Sequence, residues 1–146
     1  MTAWVALLRG HSALVGELNA KMLAEHGLTI SDYEVLLRLS NAPERSLRRV
    51  DLAESVLLTP SGITRLLEGL EGCGYVERGA CATDKRVTYA VLTDRGHAKL
   101  TEARQSHLAD VRSLFTSRFS DGELETLGEL LGRLAGGGDG ECGTEE

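Results

Sequence analysis

Between Thr2 and Gly27 apolar residues recur on more than one side of a helical projection: Trp4, Leu7, Leu8, Leu14, Val15, Leu18 and Met22. The pattern predicts a long helix that buries two faces, one against its own core and one against a partner. Gly27 is the candidate C-cap. Ser31 and Glu34 make a capping-box pair for a second helix with Tyr33, Leu36 and Leu37 on one face. Asn41-Ala42-Pro43 stops it. Ser46 is expected to cap a short third helix that turns Leu47, Val50, Ala53 and Val56 inward. Thr59 caps a fourth, with Pro60 in the favoured first position and Ile63, Leu66, Leu67 and Leu70 at i, i+3, i+4 and i+7.

The period then changes. Gly74 breaks the helix, Tyr75–Arg78 reads as a short strand, and a turn-rich stretch follows. Val87, Tyr89 and Val91 alternate with Thr88 and Ala90, so Arg86–Leu92 reads as the returning strand of a hairpin. Thr93 caps a long helix lined by Leu100, Leu108, Val111, Leu114, Phe115 and Phe119. A second capping box, Ser120 with Glu123, opens the last helix. Its Leu124, Leu127, Leu131 and Leu134 follow a coiled-coil-like 3-4-3 spacing. Residues 136–146 are Gly-rich and acidic and read as a disordered tail.

Composition narrows the class. The 146 residues are enough for one compact domain. No apolar run approaches the roughly 18 residues that would cross a bilayer. The N-terminus lacks the basic and small-residue pattern of a secretory leader, so a cytoplasmic, soluble protein is expected. Cys73, Cys81 and Cys142 form no CxxC pair, which argues for free thiols and against a disulfide framework or a zinc site. The net charge of −6 is unevenly spread. Residues 1–40 carry −1 and residues 96–146 carry −5, while residues 41–95 hold eight bases and eight acids. Local basic patches, rather than net charge, make a phosphate footprint.

Two short helices joined by a tight turn, the second followed by a hairpin, make a winged helix-turn-helix. The fold class expected is therefore mainly α with a small β-hairpin wing, flanked by long N- and C-terminal dimerisation helices. Residues 1–135 would form a single domain, with the winged helix-turn-helix at about 28–100 and dimerisation helices at 1–27 and 100–135. The stretch Asp84–Gly96, "DKRVTYAVLTDRG", is similar to the wing-to-helix motif of MarR-type regulators: an Asp, a residue, an Arg, the outgoing strand, Leu-Thr, and a Gly three residues on. The preceding "LAESVLLTPSGITRLLEGLEGCGYVER" resembles that family's helix-turn-helix and first wing strand. The resemblance covers Leu28 to Leu100 in detail. It implies a homodimeric transcription regulator, commonly a repressor that releases DNA on binding a small aromatic or lipophilic effector.

These residue types suit double-stranded DNA. The fourth helix shows Ser61, Thr64, Arg65 and Glu68 on its polar side. Its N-terminus carries unpaired N–H groups and partial positive charge. Pro60, Ser61, Thr64 and Arg65 lie early enough to enter a major groove, where an arginine grips guanine by two bonds. Arg86 at the hairpin tip would lie along the minor groove, where the potential is most negative. The resemblance implies that Asp84 holds its guanidinium by a fork-like pair. The plainer alternative is a surface ion pair contributing at most about 1 kcal/mol. Lys85, Arg78 and Arg95 are candidates for phosphate contact, and Arg45, Arg48 and Arg49 for holding the backbone beside the third helix. The tip itself, Gly79 to Thr83, carries little charge, unlike that of many relatives.

Other chemistry is thinly supported. His11, His26, His97 and His107 make no metal-binding spacing, and no nucleophile motif or phosphate loop is present, so no enzyme, metal or cofactor is expected. Trp4, His11 and Tyr33 would line an effector pocket between the first, second and fifth helices, as the resemblance implies; ordinary packing is the alternative. Cys81, with Lys85 and Arg86 close by to favour the thiolate, is a redox candidate. The operator should be an inverted repeat read by a homodimer. The competing function is a winged-helix module that binds protein or a small ligand and no longer reads DNA.

Overall fold

A computed structural model describes residues 1–56, 60–80, 84 and 86–135. The chain divides into two compact units, Met1–Ala109 and Asp110–Glu146. In the first, helix α1 spans Ala3–His26, capped by Thr2 and closed by Gly27 in the left-handed region (φ 69°). Only Met22 of this helix is buried, while Trp4, Leu8, Val15 and Leu23 form an exposed apolar stripe. Helix α2 is Ile30–Asn41. Its capping box is Thr29 with Asp32, not Ser31 with Glu34: Asp32 N donates to Thr29 Oγ1 (3.0 Å) and Thr29 N donates to Asp32 Oδ2 (2.8 Å). The reason is tertiary. Ile30 N donates to Asn19 Oδ1 of α1 at 3.0 Å, which fixes the helix start ahead of Ser31.

Ser46 does not cap a helix either. Ser46–Arg48 is a short edge strand, β1, reached through a 3-10 turn at Pro43–Arg45 in which Glu44 and Arg45 adopt positive φ. Helix α3 follows at Arg49–Ser55 and α4 at Pro60–Gly72. On α3 Val50 lies about 200° around the helix from Leu52. Leu52 and Ala53 are buried, whereas Val50 is 67% exposed, contrary to its expected inward position. The expected cap, Thr59, lies outside the described residues. Ile63, Leu67 and Leu70 of α4 meet Val35, Leu36 and Leu39 of α2 and Leu52 of α3 in one core. Each fully buried leucine there contributes about 1.5–3 kcal/mol.

Strands β2 (Val76–Ala80) and β3 (Thr88–Leu92) pair antiparallel with Val76 opposite Leu92 and Ala80 opposite Thr88. The wing is thus a three-stranded sheet in the order β1-β3-β2, rather than a bare hairpin. Helix α5 runs Asp94–Leu114. Its cap, Thr93, does more than cap. Thr93 Oγ1 accepts from Gly96 N (3.0 Å) and donates to Gly74 O (2.6 Å), and Thr93 N donates to Tyr75 O (3.1 Å). The entry to the wing is thereby tied to its exit. Gly96 is required at this crossing, because a Cβ there would lie 2.1 Å from Tyr75 O.

In the second unit the chain leaves the helix at Phe115, passes a 3-10 turn at Thr116–Arg118, and forms α6 at Asp121–Ala135. The Ser120–Glu123 capping box is present in both directions. Phe115 and Phe119 meet edge to face, 5.4 Å between centroids. No residue of α6 is buried, and Leu130, Leu131 and Leu134 stand exposed. Among the described residues no helix is long and apolar enough to cross a membrane.

Candidate nucleic-acid interface

Burial of Ile63, Leu67 and Leu70 decides which side of α4 is left for solvent. Ser61, Arg65 and Glu68 are exposed and Thr64 is half-buried, and the four line one shallow depression. Three of the sequence candidates, Ser61, Thr64 and Arg65, are therefore brought together on one helix face. Pro60 opens the same helix.

The wing tip differs in detail from the expected fork. The nearest guanidinium contact, Arg86 Nε to Asp84 Oδ1, is 3.5 Å long. Asp84 acts chiefly on the backbone: its Oδ1 accepts from Arg86 N at 3.0 Å, and its carbonyl accepts from Val87 N at 3.2 Å. A carboxylate that accepts from the amide two residues on stabilises a turn. The turn points Arg86 outward, and its side chain is 94% exposed. Lys85 and Cys81 lie outside the described residues. Cys73 is exposed and unpaired, just beyond α4.

Four of the other candidate arginines, Arg45, Arg48, Arg78 and Arg95, are engaged within the protein. The true fork is Arg48 with Asp51, where Nε and Nη2 donate to the two carboxylate oxygens at 2.7 and 2.9 Å. These hydrogen bonds, more than the bare charges, raise the Arg48 pKa; the bond from Arg48 lowers that of Asp51. Arg78 Nε reaches both oxygens of Glu71 at 3.2 and 3.3 Å, joining β2 to the end of α4. Arg45 donates to Asp94 at 3.2 Å, joining the turn before β1 to the start of α5. Arg95 lies over the Tyr75 ring, 5.6 Å from its centroid. One terminal nitrogen of Arg49 is buried without a hydrogen-bond partner. All of these surround the helix-turn-helix and wing; Arg86 is the most exposed of the ion-paired arginines, and Arg65 is exposed on α4.

The helix-turn-helix, the wing and the flanking helices invite comparison with known proteins. The MarR family model matches residues 26–87. AbsC, a MarR family transcriptional regulator from Streptomyces coelicolor, is 31% identical, with 91% of this chain and 89% of AbsC covered and a TM-score of 0.84. This chain belongs to the MarR family. A second MarR regulator of that organism, Sco3205, whose structure is a complex with DNA, is 28% identical over 97% of this chain and 91% of its own, with a TM-score of 0.87. The HTH-type transcriptional regulator MhqR of Bacillus subtilis is 28% identical over 90% of this chain and 88% of its own length. MarR proteins such as these are transcriptional regulators, and the winged-helix fold expected from the sequence is the MarR fold.

The residues expected at a MarR effector pocket are placed apart in character. Trp4 is 67% exposed and His11 is exposed two turns along the same helix. Tyr33 is buried, its ring 4.7 Å from that of His107 on α5, and burial raises its pKa against the opposing effect of Arg104. Sequence reasoning missed His26, whose side chain is 8% exposed and hydrogen-bonded through Nε2 to Ser106 Oγ of α5. It also missed Glu71, Asp51 and Asp94 as partners of the arginines. A carboxylate seven or 49 residues away announces itself by no local spacing. Only Arg48–Asp51, at i, i+3, was legible in principle. Among the described residues no group of His, Cys, Asp and Glu could hold a metal.

Proposed function

We propose that this chain is a homodimeric, sequence-specific DNA-binding regulator that represses transcription and is released by a small aromatic or lipophilic effector. The observation that carries the reading is the pairing of two outward features. One is the Ser61–Thr64–Arg65 face of α4; the other is the Arg86 tip that Asp84 turns away from the protein. A helix N-terminal face of this kind suits the major groove, and an exposed arginine on a ribbon suits the minor groove. Residues 28–100 read the duplex, and the helices on either side join two copies. The exposed stripes on α1 and α6 support dimerisation, because contiguous apolar side chains in water are stabilised by a second surface. Two α4 helices then enter major grooves about one helical turn apart, so the operator is an inverted repeat. The Tyr33–His107 pair supports an effector site whose wall is aromatic.

A gel-shift series with genomic fragments, the protein's own promoter included, tests the reading. Binding should weaken steeply with salt as phosphate contacts release counterions. Arg65→Ala should relax sequence choice by about 1–3 kcal/mol at one position per half-site. Arg86→Ala should weaken binding to all sequences with little change in preference. Unchanged affinity in Arg86→Ala would show that the wing does not touch DNA.

One observation favours the second reading, a module that captures protein or ligand instead. Arg45, Arg48 and Arg78 each face a carboxylate of the same chain, which leaves less free positive charge than the sequence implies. Salt-insensitive partner capture with no DNA shift would support it.

A further inference from the structure

We infer that Glu68 reads a base, and that together with Arg65 it restricts the operator to a cytosine at one position of each half-site. The inference rests on DNA reading by α4. Arg65 and Glu68 share the exposed depression with Ser61 and Thr64. They are three residues apart, about 4.5 Å along the helix axis, close to the spacing of about 3.4 Å between stacked base pairs. Opposite charges at i, i+3 on a helix commonly pair. Here, among the described residues, neither side chain makes an ion pair or a hydrogen bond. The arginines around them behave otherwise: Arg45, Arg48, Arg78 and Arg86 each lie beside a carboxylate. The donors of Arg65 and the acceptors of Glu68 are directed outward together.

An ionised carboxylate is acceptor-only. In the major groove guanine offers N7 and O6 and thymine offers O4, all acceptors, so a carboxylate opposite either leaves two acceptors facing each other. Adenine offers an N6 donor beside its N7 acceptor. Cytosine offers its N4 amino group with no acceptor beside it. A carboxylate therefore selects cytosine, while Arg65 selects guanine at a neighbouring step. Glu68 also disfavours unspecific binding, since it places a negative charge among phosphates wherever no amino group meets it. It is a specificity-determining residue rather than a source of affinity.

The test is selection of duplexes from a randomised pool by the full-length protein and by Glu68→Ala and Glu68→Gln. Direct affinities on single-base variants of the selected site follow. The wild type should show one symmetry-related cytosine, with other bases there binding about 5- to 150-fold more weakly. Glu68→Ala should compress that discrimination to within about threefold while the guanine opposite Arg65 stays selected. Glu68→Gln should move the preference from cytosine to adenine, because a carboxamide both donates and accepts. If both variants select the wild-type site unchanged, Glu68 does not read a base, and DNA reading by α4 stands without it. If the wild type selects no sequence, DNA reading itself is wrong and this assignment falls with it. Glu68 is exposed and outside the core, so both variants are expected to fold; equal helical content by circular dichroism checks this.

Discussion

Adding one methyl group at Gly96 should loosen the wing from the body of the protein. A Cβ at that position would lie 2.1 Å from Tyr75 O, 2.9 Å from the carbon of the same carbonyl and 2.7 Å from Leu92 Cδ1. The leucine methyl can rotate away, but the Tyr75 carbonyl is backbone and already accepts from Thr93 N at 3.1 Å. Restoring ordinary contact requires a separation of about 1.3 Å, enough to break that hydrogen bond and strain the Gly96 N–Thr93 Oγ1 cap. The lost bond costs about 1 kcal/mol and the crowding about 1–3 kcal/mol. The better helix propensity of alanine returns about 1 kcal/mol. The net loss is about 1–3 kcal/mol, or a fall in Tm of about 3–10 °C for a chain of this size. Thermal unfolding followed by circular dichroism at fixed protomer concentration measures it. Gly69→Ala is the control. A Cβ there meets nothing within 4 Å, so Tm should rise slightly. A Gly96→Ala protein as stable as the wild type would refute the claim that this crossing is closely packed.

Thr93→Val removes both hydroxyl bonds that tie wing entry to wing exit and should cost about 1–2 kcal/mol, read as a lower urea midpoint at unchanged slope. An unchanged midpoint would contradict the clip. Asp51, held below its usual carboxylate pKa by Arg48, contributes stability that is complete above its unfolded pKa of 3.8 and is lost as pH falls through the lower folded value. In Asp51→Asn the fall of Tm below that pH should be shallower than in the wild type; parallel profiles would sink the argument. Leu134, 72% exposed on α6, belongs to the stripe assigned to dimerisation. Leu134→Glu should raise the dimer dissociation constant at least about tenfold by sedimentation velocity. No change would place the interface elsewhere.

What the sequence disclosed follows the range of the interactions that decide each feature. The Gly27 C-cap, the Thr93 cap and the Ser120–Glu123 box each depend on residues within one turn, and each stands where the local pattern puts it. The start of α2 depends on Asn19, eleven residues back, and the local pattern chose the wrong one of two overlapping boxes. Strand β1 is three residues long and exists because β3 offers it an edge some 40 residues later, so no periodicity could reveal it. Missing it also misplaced the start of α3. The exposed face of α4 was legible because its buried face is strongly periodic. Which arginines would be held by the protein was not, because Glu71 and Asp94 reach them only through the tertiary fold.

The central claim is that two chains grip one duplex with a helix and an arginine-tipped wing each. Hydroxyl-radical footprinting on a selected fragment, with the complex mass determined by sedimentation, tests it most directly. Two protomers per duplex are expected, with two protected segments one helical turn apart and flanking protection that disappears in Arg86→Ala. A single protomer on DNA, or a footprint without twofold symmetry that Arg86→Ala leaves intact, would contradict it.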